Sequence, residues 1–180
     1  MFTNSRIGIF PGTFDPLHEG HIRFALTALE QSHLDKVILL PEKTPRNKPT
    51  AANIDARVRY AETLLSDYPN IEIRTLKAET QTYKAEQDEL GEIFDTARVV
   101  LLVGTDVLKT IPYWQDADLL LRDHELCVGI RGNESVSSVL EKIKQIELIT
   151  GVKVEYKIIE TKHKDISSTA IRSRKDYTPL

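Results

Sequence analysis

The chain is poor in cysteine: one of its 180 residues, Cys127, carries a thiol. A lone thiol cannot close an internal disulfide, so a reducing compartment is the simpler expectation. Cys127 stands in an apolar run and reads as a small buried residue. An excess of positive charge is also missing. Lys and Arg number 24 against 27 Asp and Glu, a net charge of -3. That balance excludes a global basic field for nucleic acid or membrane surfaces, yet leaves room for a local anion pocket. No apolar segment approaches the length of a bilayer span. The first residues, MFTNSRIGIFPG, hold no signal-type apolar stretch. A cytoplasmic protein without membrane or nucleic-acid partners is expected. Internal repeats, low-complexity tracts and splitting linkers are absent as well, so residues 1–180 read as one domain with a sizeable core.

What is present alternates. Residues 7–10 read as a strand and 20–33 as a helix with Ile22, Ala25, Leu26 and Leu29 on its inner side. A buried strand (36–40), a proline-bearing loop (41–53), a helix (54–67) and a strand (71–76) follow. A helix is expected over 84–95, and RVVLLV (98–103) is the clearest buried strand. It ends at Gly104, with a short helix to Leu108 and a mixed stretch over 112–122. A strand (125–130), a helix (136–149) with Lys142 among its outward residues, a last strand (152–159) and a helix from about Ser168 complete the pattern. Repeated strand–helix–strand units imply an α/β fold, a Rossmann-like, doubly wound parallel sheet. Ligands of such sheets bind beyond the carboxyl ends of the strands.

The most informative segment is PGTFDPLHEGH, Pro11–His21. It joins the first strand to the first helix, where free backbone amides can meet a phosphate. His18 and His21 are three residues apart at the helix start and share a face. Two imidazole donors there suit a negative charge that grows during reaction. A solvated helix start and half a metal site are the competing readings; against the second, the nearby carboxylates are Asp15 and Glu19, and no third His or Cys follows at ligand spacing. A second candidate anion site is ISSTAIR, Ile166–Arg172. Ser167, Ser168 and Thr169 are good caps and Arg172 adds a guanidinium; taken alone the segment reads rather as an ordinary capped helix.

Together the two segments resemble the paired signatures of the nucleotidyltransferase superfamily, G-x-F-D-P-x-H-x-G-H (Gly12, Phe14, Asp15, Pro16, His18, Gly20, His21) and I-S-S-T-x-I-R. The middle of the chain is similar to bacterial nicotinate-mononucleotide adenylyltransferases. PEKTPRNKP (41–49) looks like their proline-and-lysine loop, Arg57 matches a helix arginine, and LLVGTDVLKTIPYWQDADLLL (101–121) looks like their Gly-x-Asp turn with its tryptophan. Where that family reads Pro-Pro-His-Lys, Arg46 and Asn47 precede Lys48. Its Ser-Tyr-Thr is nearest to Thr82-Tyr83-Lys84.

The resemblance implies an enzyme, an adenylyltransferase that joins the AMP part of ATP to nicotinate or nicotinamide mononucleotide and releases pyrophosphate, a step of NAD biosynthesis. It implies Mg²⁺ carried with ATP, no dedicated protein metal site, and room for a homo-oligomer. Implied catalytic residues are His18, His21 and Arg172. Implied ATP contacts are Gly12, Thr13, Phe14, His18, His21, Gly104, Asp106, Ile166, Ser167, Ser168, Thr169 and Arg172. Implied contacts to the acceptor are Asp15, Lys48, Arg57, Tyr83 and Trp114. An indole face suits a flat pyridine ring, although Trp114 reads equally as a half-buried structural aromatic. Two alternatives stay open: the same chemistry on a phosphopantetheine-like or glycerol-phosphate-like acceptor, and a non-catalytic nucleotide-binding module.

Overall fold

A computed structural model describes residues 5–45, 51–130 and 134–160. Six strands form one parallel sheet: β1 (Arg6–Gly12), β2 (Lys36–Pro41), β3 (Ile71–Ile73), β4 (Arg98–Gly104), β5 (Glu125–Ile130) and β6 (Tyr156–Glu160). The spatial order is β3-β2-β1-β4-β5-β6, with every neighbouring pair parallel. The chain winds outward from β1 to β3, then returns to start β4 against the other side of β1. The crevice between β1 and β4 is therefore the topological switch point, where a doubly wound sheet receives ligands.

The strands are apolar because both faces are covered. Ile7, Ile9, Ile38, Leu40, Val99, Leu101 and Val103 belong to one core cluster. Val37, Leu39, Val100, Leu102 and Cys127 alternate with them in the other, beside α1 (Glu19–Gln31) and α2 (Ile54–Leu65). The first cluster also takes up α3 (Tyr83–Glu89), α4 (Gly91–Thr96), a 3₁₀ helix (Leu108–Tyr113), α5 (Ala117–Asp123) and α6 (Val136–Thr150). Cys127 is fully buried, and burial pushes its thiol up to about 11, as an inert packing residue requires.

Helix α1 lies close on the sheet. A side-chain carbon at Gly129 would come within 2.7 Å of the Phe24 ring, so the missing side chain on β5 makes room for that aromatic. This contact helps seat α1 with its N-terminus at the end of β1.

Several elements differ from the sequence pattern. In α1 the buried residues are His21, Ile22, Phe24, Ala25 and Ala28, whereas Leu26 is exposed. The buried arc centres on Ala25, and at about 100° per residue Leu26 turns off it. The helix expected over 84–95 is two helices, broken at Leu90 with Gly91 opening the second. The last strand starts at Tyr156, later than expected. The Val154 amide is bonded instead to the Glu147 carboxylate on α6 at 3.0 Å, which keeps it out of the ladder. Lys142 is not a solvated residue. Its ammonium donates to the Thr105 carbonyl at 3.2 Å and pairs with Glu134, so its stem spans from α6 to the turn after β4.

Glu86 in α3 is a buried carboxyl, held by the Gln81 side-chain amide at 2.7 Å. Burial pushes it up to about 7. The folded protein thus keeps a proton that the unfolded chain loses above the ordinary glutamate range. The stabilising proton is fully held at low pH, and its contribution is lost as pH rises toward and through 7. Glu86→Gln should therefore gain stability over the natural protein between pH 4 and pH 8, on the order of 3 kcal/mol. Urea unfolding at both pH values measures it; a difference independent of pH would place Glu86 in water.

Candidate active site

The carboxyl end of β1 carries the first motif. Phe14 has φ 46°, in the left-handed region, and the Asp15–Pro16 peptide is cis. The Phe14 ring folds back over Gly12, where a side-chain carbon would meet it at 2.9 Å. Glycine is required at that position by this packing. Phe14, Asp15, Leu17 and His18 are all buried, so the loop is built into the protein.

His18 is the N-cap of α1 and carries the extended backbone typical of a cap. Its Nδ1 accepts the Gly20 amide at 3.1 Å. The His18 amide in turn donates to Nδ1 of His21 at 3.3 Å. This is a capping box made from two imidazoles, where Ser and Glu are usual. In both rings Nδ1 is the acceptor, so the ring proton sits on Nε2. The rings stack at 3.7 Å between centroids, tilted by 30°. Phe10 and Phe14 pack edge-on against His21, which fixes its plane. The helix thus begins with two oriented donors beside the positive end of its dipole. Such a place stabilises phosphate oxygens.

The loop after β2 lies alongside. The Glu42 amide donates to the Gly12 carbonyl at 3.0 Å, and the Thr13 hydroxyl reaches the Glu42 carboxylate at 3.4 Å. Glu42 lies in the 41–49 loop but is not among the expected site residues; the pairing of Gly12 with Pro41 brings it here. Asp15 accepts the Ala52 amide at 3.3 Å. Arg57 is 1% exposed, and its guanidinium donates to the carbonyls of Ala52, Thr13, Glu42 and Lys43. Desolvation pushes its pKa down, while the Asp15 and Glu42 carboxylates oppose that. A guanidinium so engaged has little left to offer an acceptor, so the acceptor contact expected for Arg57 gives way to internal ones.

On the other side of the switch point, β4 ends at Gly104. The Thr105 amide donates to the Gly129 carbonyl at 3.2 Å, and Asp106 stands exposed in the turn. The 3₁₀ helix that follows has Val107 as its N-cap, so Asp106 is not held there as that cap. Trp114 closes the 3₁₀ helix, half-buried against the core, with its indole N–H donating to the Thr110 hydroxyl at 3.1 Å.

The structure thus brings Gly12, Thr13, Phe14, Asp15, His18, His21, Gly104 and Asp106 to one edge of the sheet. Tyr83 does not join them. It is buried, and its hydroxyl donates to Asp123 at 2.7 Å, contacts His124 Nε2 at 2.9 Å and accepts from Gln87 at 3.0 Å. Asp123 and His124 immediately precede β5, so the hydroxyl is held at the amino edge, across the sheet from Gly12. The expectation of a Tyr83–acceptor contact is corrected on that ground. Lys48, Ile166, Ser167, Ser168, Thr169 and Arg172 lie outside the described residues.

Comparison with known proteins agrees with this geometry. The profile of the cytidylyltransferase-like family matches residues 9–174. The chain belongs to that nucleotidyltransferase family. Relatives of this family member include a probable nicotinate-nucleotide adenylyltransferase of Clostridium botulinum, 32% identical over 172 residues, which are 94% of this chain and 85% of that one. A probable nicotinate-nucleotide adenylyltransferase of Lachnoclostridium phytofermentans is 28% identical over 174 residues, 94% of this chain and 86% of the other. Among solved structures, Plasmodium falciparum nicotinic acid mononucleotide adenylyltransferase complexed with NaAD superposes with a TM-score of 0.74 at 16% identity, over 94% of this chain and 83% of that one. That likeness bears on the fold: the same Rossmann-like parallel sheet.

Removal of the Tyr83 hydroxyl tests its place. Tyr83→Phe should cost about 1–3 kcal/mol, since Asp123 and His124 lose a buried partner. Michaelis constants should not change. A normal melting temperature combined with a raised constant for the acceptor would return Tyr83 to the site.

Proposed function

We propose that the protein is an adenylyltransferase that joins the AMP part of ATP to nicotinate mononucleotide, or its amide, and releases pyrophosphate. The observation that carries this reading is the two-imidazole capping box at the switch point of a doubly wound sheet. Family membership and the names of the curated relatives support it. The Trp114 segment, half-buried beyond the end of β4, is the feature that favours a pyridine nucleotide over other acceptors.

In this reading one phosphate oxygen of the acceptor attacks the α-phosphorus of ATP. The new O–P bond forms as the bond to the β-phosphate oxygen breaks, and pyrophosphate takes that electron pair. The acceptor phosphate is already an anion near neutral pH, so no protein nucleophile is needed. The work of the protein is placement and charge stabilisation. The amides of the Gly12–Phe14 loop and the N-terminus of α1 attract the phosphates. His18 and His21 donate from Nε2, His21 toward the α-phosphate as charge moves across it. Asp106 would meet the adenosine part, and Trp114 would stack on the acceptor's base.

Ser167, Ser168, Thr169 and Arg172 would hold the β- and γ-phosphates, with Ile166 setting the segment in place. Strand β6 delivers the chain at the carboxyl edge shortly before Ile166, which supports this assignment. Lys48 is assigned to a further phosphate. Among the described residues no group of three His, Cys, Asp or Glu side chains could hold a metal. Mg²⁺ enters this reading with ATP, as part of the substrate, and would neutralise phosphate charge there. We further assign residues 1–180 to one domain working in the cytoplasm; no helix among the described residues is long and apolar enough to cross a membrane.

Pyrophosphate release from ATP with a panel of acceptors tests the function. Release with nicotinate or nicotinamide mononucleotide is expected. Release only with another phosphate acceptor, or ATP binding without any release, refutes it. His21→Ala should lower turnover about a hundredfold or more, the scale of a lost transition-state donor, while the fold survives. Near-normal turnover in that variant removes His21 from the chemistry.

A further inference from the structure

Among the described residues Arg57 is the one fully buried cation beside this site, and the proposed chemistry gives it no task. Its donors reach three separate segments. Nη1 meets the Thr13 carbonyl in the phosphate loop, and Nη2 meets the carbonyls of Glu42, at 2.8 Å, and Lys43, at 3.3 Å, after β2. Nε meets the Ala52 carbonyl at the entry to α2 at 2.8 Å. The same entry is held from the other direction by Asp15, which takes the Ala52 amide.

A trans peptide points its C=O and its N–H in opposite directions. Each carbonyl that Arg57 draws inward therefore turns the following N–H away from it. For the Thr13–Phe14 peptide that N–H belongs to the loop proposed to receive the triphosphate. With the carbonyl outward instead, an oxygen dipole would face the phosphates and repel them. The arrangement also needs holding, because a bulky residue in the left-handed region, as Phe14 is, is costly on its own. The planar guanidinium fork suits several carbonyls at once. A lysine ammonium offers one nitrogen on a flexible stem and cannot span the same set.

We infer that Arg57 is a positioning residue that fixes the phosphate loop and the loop after β2 to each other, with their N–H groups aimed away from its buried guanidinium toward the substrates. The inference rests on the proposed nucleotidyl transfer. It predicts a defect in turnover rather than in folding or in simple affinity.

The test uses the full chain with Arg57→Lys, Arg57→Gln and Arg57→Ala. Thermal unfolding, binding of a non-hydrolysable ATP analogue, and kcat and KM are measured for each. The expected result is a folded Arg57→Lys whose kcat falls about a hundredfold, the scale of a small misplacement of reacting groups. KM for either substrate should change less than about tenfold. Guanidinium ion at sub-denaturing concentration should restore about tenfold of the activity of Arg57→Ala, and methylammonium should not. A kcat per folded molecule equal to the natural protein's overturns the inference, and so does equal rescue by methylammonium. Loss of fold in all three variants makes Arg57 a structural residue and overturns it too. A natural chain that releases no pyrophosphate with any acceptor would instead sink the proposed chemistry, so the two failures are distinguishable.

Discussion

Closure of the α1 N-terminus by two imidazoles is the interaction around which the site is arranged. The first amides of a helix need acceptors. Here the acceptors are ring nitrogens, one from His18 to the Gly20 amide and one from His21 to the His18 amide. The bonds that start the helix therefore also choose the tautomer and fix both ring planes. One pair of side chains thus both starts the helix and sets the geometry of the motif.

The remainder of the edge keeps this arrangement in place. Phe10, Phe14 and Phe24 pack in edge-to-face pairs beneath the loop, and His21 lies against two of them. Gly12 and Gly129 give up side chains so that Phe14 and Phe24 can approach the sheet. Buried Arg57 and Asp15, with half-buried Glu42, supply a polar layer behind the loop, with opposite charges near one another. On the β4 side, Lys142 reaches across from α6 to the Thr105 carbonyl and steadies the turn that bears Asp106.

Much of this was legible in the linear order. Buried strands announced themselves as unbroken apolar runs, since both faces of a parallel sheet are covered. The first motif kept its meaning because its residues are neighbours in sequence and its geometry is local. Leu26, Tyr83 and Lys142 were misread for a shared reason: each depends on what packs against it. Leu26 matched helical spacing, but the buried arc centres elsewhere. Tyr83 sat in a motif-like triplet, but its hydroxyl is taken by Asp123, His124 and Gln87 on the far edge. Lys142 looked solvated on a helix wheel, and only the turn after β4 gives it a partner. Arg57 falls in the same group, since its four acceptors are separated from it by up to 44 positions.

By itself the sequence determined the alternation of strands and helices, the parallel sheet, and a histidine pair at a strand-to-helix junction. Those features follow from periodicity and from contacts within a few residues. Tertiary structure alone decided the strand order and with it the crevice between β1 and β4. It also decided which polar groups face the crevice and which are bound inside the protein. The physical reason is that burial and long-range hydrogen bonding are properties of the packed chain, and no local pattern encodes the partner a side chain will meet.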